Sequence, residues 1–139
     1  MQVFFHVAPA DAASDILKHG IRSLMCQHGY DASDATDAYV ERWSARTGRD
    51  AESVLNCDCI NEDLESVCAF TDISAARAWA AVEPVDMVIV QITDEGDLIE
   101  AEADEYAADI ECGVAVRLRG AGDQYNTISA RLVQLSIVK

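Results

Sequence analysis

Every apolar run in this chain is strand-length, and none approaches the roughly 18 residues of a spanning helix. Five such runs, at about 2–7, 66–71, 86–92, 113–118 and 131–138, are unevenly spaced along the sequence. Helical patterns fill some of the intervals and leave others without a crossover. The resulting order, β-α-(α)-β-α-β-β-β, is not the regular alternation that builds a parallel sheet. It points to an α+β fold, with a twisted, mainly antiparallel split sheet and three or four helices. With 139 residues, the chain fits a single domain over 1–139.

The local signals are short. Gln2–Val7 is rich in Val and Phe and reads as a first strand. Pro9 is expected to open a helix over about 10–19, with Gly20 as its left-handed cap. Residues 23–32 read as a loop, and a second helix is expected from Ser33 or Asp34. Along it Ala35, Tyr39, Arg42 and Trp43 recur at helical spacing, and Gly48 closes it. Asp50–Leu55 adds a helical turn, and Asn56–Glu65 reads as an irregular connection. Asp72 caps a helix that Pro84 stops, and Met87–Ile92 reads as a strand buried on both faces.

Charge bounds the partners. The net charge is −15, from 25 acidic and 10 basic residues, with lysine only at Lys18 and Lys139. Such a surface repels phosphate backbones and anionic lipids, so neither direct nucleic-acid binding nor membrane binding is expected. Two sources of the acidity stay open: a halophilic or GC-rich host in general, or a basic, nucleic-acid-binding surface on a protein partner. The opening segment Met1–His6 carries no secretion pattern, and a cytoplasmic location is expected. Five cysteines, an odd count, argue for reduced thiols over a disulfide framework. Cys57 and Cys59 are spaced too tightly for the usual zinc pair, and no histidines are paired at ligand spacing, so no metal is expected.

The candidate chemistry lies in a few residues. His6 ends the first strand, where a ring N–H could face a cleft. Phe70 closes the second strand, and Trp79 lies two turns into the following helix; the pair could wall a slot for a flat ring. Taken singly, His6 reads as a satisfied histidine and the two aromatics read as core. A late turn, Gly122-Asp123-Gln124-Tyr125-Asn126-Thr127, could bring a carboxylate to the same cleft.

Two segments carry a family resemblance. Val3-Phe4-Phe5-His6-Val7-Ala8-Pro9, followed by Ser14–Ile21, resembles the opening of the ADP-ribosyltransferase-like superfamily. Val67-Cys68-Ala69-Phe70-Thr71-Asp72-Ile73-Ser74, running on to Trp79, is similar to the second motif of its diphtheria-toxin and poly-ADP-ribose polymerase branch. The resemblance implies that NAD is used: His6 on the NAD ribose, Phe70 and Trp79 beside the nicotinamide, and a late acid stabilising the cationic sugar. The sequence departs from the pattern at four places. Val7 replaces the glycine after the histidine, Ala69 the first stacking tyrosine, and Trp79 falls one residue short of the second. Thr127 stands where the catalytic glutamate is expected, leaving Asp123 or Glu111 as the substitute.

Two functions are therefore expected in competition. One is a small NAD-dependent mono-ADP-ribosyltransferase modifying a macromolecular target, a bare catalytic core that would suit a toxin, a phage effector or an anti-CRISPR inhibitor. The other is a non-enzymatic acidic binding protein that docks on a basic, nucleic-acid-binding surface of a partner, with Asn56–Glu65 as a contact. A structural domain whose acidity reflects only its host is a third reading. The enzyme reading requires His6, Trp79 and one of Asp123 or Glu111 to line a single cleft, and His6 and Trp79 on opposite faces of the sheet would speak against it.

Overall fold

A computed structural model describes residues 2–56, 64–94, 99–103, 115–119, 127–128 and 133–136. The chain opens with strand β1 (Gln2–Pro9) and a 3-10 turn (Ala10–Ala12), followed by helix α1 (Ala13–His19). After β2 (Ile21–Arg22) come α2 (Leu24–Gln27), α3 (Ala32–Thr47) and α4 (Ala51–Leu55). Strand β3 (Val67–Phe70), helix α5 (Ile73–Ala81) and strand β4 (Met87–Asp94) form the second half of the well-packed body. Strands β5 (Ile99–Ala103), β6 (Ala115–Arg119), β7 (Thr127–Ile128) and β8 (Val133–Ser136) complete the described elements.

The fold is α+β. At its centre three antiparallel strands lie in the order β3-β1-β4, and β6 and β5 extend the sheet past β3 while β8 extends it past β4. A separate ribbon pairs β2 with β7. Period-two alternation gives the sheet two apolar faces. Phe4 and Ala8 of β1 join Val67, Ala69, Val90 and Ile92 in one buried cluster, which Ile16 of α1 covers. Val7 joins Phe70 and Ile89 in a second, covered by Ala75, Ala76 and Trp79 of α5. The expected two-sided burial of β4 follows from this, with Val90 and Ile92 on one face and Ile89 on the other.

Aspartate does more here than carry charge. The backbone N–H of Asp34 donates to Asp31 Oδ1 at 3.1 Å, that of Ser53 to Asp50 Oδ1 at 2.8 Å, and that of Ser74 to Asp72 Oδ1 at 2.7 Å. Each oxygen satisfies an N–H that the first turn of a helix leaves without an intrahelical partner. Asp72→Ala is expected to cost about 1 kcal/mol, read as a lower urea midpoint at unchanged slope. An unchanged midpoint would mean that α5 is held by packing alone.

Several boundaries differ from the sequence expectation. The helical stretch expected over about 10–19 is present as the 3-10 turn and α1, but Pro9 is its N-cap and not its first helical residue. Pro9 ends β1, paired with Met87, because β4 offers a partner along the whole length of β1 from Gln2↔Asp94 to Pro9↔Met87. The stretch expected to be a loop contains α2, capped by Ser23 Oγ, which accepts from the Cys26 N–H at 3.2 Å. Helix α3 begins at Ala32, one residue before the earlier of its two expected starts, since Asp31 supplies the cap. Gly20 takes φ 82° and ψ −177°, an extended conformation of positive φ instead of the left-handed helical one. A side chain would clash there, so glycine is the residue that lets α1 turn directly into β2. In all there are five α-helices among the described residues, three of them of seven residues or more, where three or four were expected.

Candidate functional site

Strands β1 and β3 are neighbours, as a slot between them requires, but they share a single rung, Phe5↔Phe70. Beyond it β3 stays paired with β6 from Val67↔Leu118 to Phe70↔Ala115, while β1 stays paired with β4. The sheet is thus parted between His6–Pro9 on one side and Ser66–Cys68 on the other, and both edges line a cavity of about 430 Å³. That volume lies within the roughly 300–1,000 Å³ typical of small-molecule sites.

His6 does not end β1 as the sequence suggests: β4 keeps the strand paired for three residues beyond it, to Pro9↔Met87, and His6 stands where the β1–β3 ladder stops. Its Nδ1 lies 2.7 Å from the carbonyl oxygen of Cys68, so a side chain bridges the strands where the ladder stops. A carbonyl oxygen only accepts, so this contact places the ring proton on Nδ1 and leaves Nε2 as a lone-pair acceptor. Burial pushes the His6 pKa down to about 4 from its ordinary 6.5; the Cys68 carbonyl opposes that shift, and the charge of Arg42 adds to it. At neutral pH the ring is uncharged. The sequence reading gave His6 an N–H for a ligand; the geometry gives it an acceptor, suited to a ligand hydroxyl.

Phe70 and Trp79 reach the same cavity, so His6, Phe70 and Trp79 share one wall system. They do not arrive from the same side. His6 follows Phe4 and Ala8 in the alternation of β1, whereas Phe70 and Trp79 belong to the cluster under the opposite face. Residues of both faces nonetheless line the one cavity. Trp79 is only 6% exposed, and its ring meets Phe70 at 5.7 Å between centroids and Trp43 at 5.6 Å, nearly edge-on to the latter. The aromatics therefore form an apolar floor whose faces are largely taken up by one another. Asp123 and Glu111 lie outside the described residues.

Helix α3 supplies what the sequence reading did not single out. Tyr39, Arg42 and Trp43, at i, i+3 and i+4, fall on one helical face and line the cavity together. Their spacing was visible, but nothing in it revealed which element they would face. The other charged residues of the wall are Asp15 and Arg22, joined to each other at 2.6 Å. Cys26 and Cys68 are reduced, half-buried thiols. Among the described residues no cluster of His, Cys, Asp or Glu could hold a metal ion, and no helix is long and apolar enough to cross a membrane.

Comparison with protein-family models, with curated proteins and with solved structures gives no match.

Proposed function

We propose that this domain binds NAD in the parting between β1 and β3 and acts as a small mono-ADP-ribosyltransferase on a macromolecular target. One observation carries the reading: His6, inside β1, lines a cavity of about 430 Å³ together with Phe70 and Trp79, its ring uncharged and its Nδ1 held by the Cys68 carbonyl. A ribose hydroxyl is the ligand group that the remaining acceptor, Nε2, suits. The opening between the strands is the feature that a split-sheet, ADP-ribosyltransferase-like architecture needs. In that chemistry nicotinamide leaves as the sugar gains positive charge, and a carboxylate stabilises that charge. Asp123 or Glu111 is proposed for the task, since Thr127 cannot supply a charge.

Calorimetry with NAD tests the binding. His6→Ala is expected to weaken it by roughly 0.5–1.5 kcal/mol, the net worth of one hydrogen bond. Nicotinamide release, followed with candidate protein targets present, tests the transfer; Asp123→Ala should lower turnover more than binding. No NAD binding at millimolar ligand would sink the proposal.

A net charge of −15 supports a second reading, a non-enzymatic acidic protein docked on a basic partner. Its affinity would fall with salt and would be the same in His6→Ala as in the parent.

A further inference from the structure

We propose that the cavity takes a phosphate-bearing ligand of the nucleotide class, with Arg42 at its rim holding the phosphate. The inference shares its site with the NAD reading and deepens it by assigning the group that recognises the anion. Its basis is a local reversal of charge. The chain carries 25 acidic and 10 basic residues, yet among the described residues the charged side chains of the cavity wall are Asp15, Arg22 and Arg42. Asp15 and Arg22 pair with each other at 2.6 Å, which leaves Arg42 as the wall charge without an ion-pair partner among the described residues. No carboxylate among the described residues pairs with its guanidinium.

In so acidic a chain an exposed arginine without an acidic partner, facing a cavity, is placed for an anion brought by a ligand. Guanidinium offers a planar fork of donors that matches phosphate oxygens. His6 is near enough to feel the Arg42 charge, and its acceptor nitrogen adds a second point of recognition inside the same cavity. A hydroxyl for His6 and a phosphate for Arg42 together describe a ribose phosphate. Inorganic anions would satisfy only the rim, and free nucleosides only the interior.

The test is calorimetry at low salt with ADP, inorganic pyrophosphate and adenosine, on the parent domain, Arg42→Gln and Arg77→Gln. Arg77 is exposed on α5 and does not line the cavity, so its variant controls for net charge. Arg42 is exposed as well, and thermal melts of its variant should match the parent. ADP is expected to bind the parent and Arg77→Gln alike, and about tenfold more weakly to Arg42→Gln, the loss of one charge-assisted contact. Adenosine should bind more weakly than ADP, with no difference between the three proteins. Equal ADP affinity for the parent and Arg42→Gln, equal affinity for ADP and adenosine, or no binding of ADP overturns the inference. NAD binding that ignores Arg42 also overturns it, while leaving the NAD reading in place. Arg42-dependent ADP binding without NAD binding has the reverse meaning.

Discussion

Trp79→Ala is expected to destabilise the domain by about 3–5 kcal/mol, the range for truncating a large buried aromatic. Trp79 is 6% exposed and packs against Phe70 from β3 and Trp43 from α3. It therefore joins three elements: its own helix α5, the strand that α5 follows, and the long helix that closes the cavity. Removing the indole leaves a void bordered by rings that cannot collapse together without moving α3 or β3. Against the 5–15 kcal/mol of a typical domain, that loss is large. It would appear as a lower urea midpoint at unchanged slope. Trp79→Phe should recover much of it by keeping an aromatic contact. A cost below about 1 kcal/mol for the alanine variant would place the indole in an open slot instead of the core, and the floor described above would be wrong.

Acid sensitivity centred on His6 is the second large effect. Burial holds the folded-state pKa near 4, below the ordinary 6.5. Between those values the unfolded chain binds a proton that the folded chain does not, so unfolding takes up protons and stability rises with pH. The full benefit is present above about pH 6.5, and it declines as pH falls toward 4. The loss between pH 7.5 and pH 5 should be roughly 2 kcal/mol from this one group. His6→Gln removes the titration, so the difference in stability between parent and variant should shrink by about that amount over the same window. Paired urea titrations at the two pH values measure it. A constant difference would mean that His6 titrates alike in both states and is not enclosed by the strands.

How far the sequence reached is clearest strand by strand. Strand β1, the Phe70-Thr71-Asp72 junction with α5, and the two-sided strand β4 each carry a local pattern, because burial on a sheet face imposes period two and a cap imposes an aspartate. Strand β4 nevertheless continues to Asp94, two residues past its apolar run, since its end is set by pairing with Gln2 and not by its own hydrophobicity. Helix α2 is a single turn, too short to show a period, so its sequence reads as loop. Strands β2 and β7 are two residues each and pair through Ile21↔Ile128 and Arg22↔Thr127, a contact with no local signature. Strand β5, Ile99-Glu100-Ala101-Glu102-Ala103, alternates as a strand should, but its acidic positions hid it.

The site was legible in the same partial way. His6, Phe70 and Trp79 were marked as chemistry-bearing residues, and all three meet the cavity. The loss of pairing between β1 and β3 after Phe5 is a tertiary event that neither strand encodes alone. The partner of His6 is a main-chain carbonyl, which any residue at position 68 would supply, and so the direction of the histidine's hydrogen bonding could not be read from the residue types. In the sequence Arg42 is only part of a helical stripe; that no described carboxylate pairs with it is a tertiary fact.

We propose that His6, which bridges the parted strands through Nδ1, offers Nε2 to NAD. Nitrogen-15 NMR of the His6 ring reports both nitrogens at once. At pH 7 the free domain should show a neutral ring with the proton on Nδ1, and NAD should shift Nε2 while Nδ1 stays bonded to the Cys68 carbonyl. A ring protonated on Nε2 or on both nitrogens at pH 7, or an Nε2 signal unmoved by saturating NAD, would contradict the account.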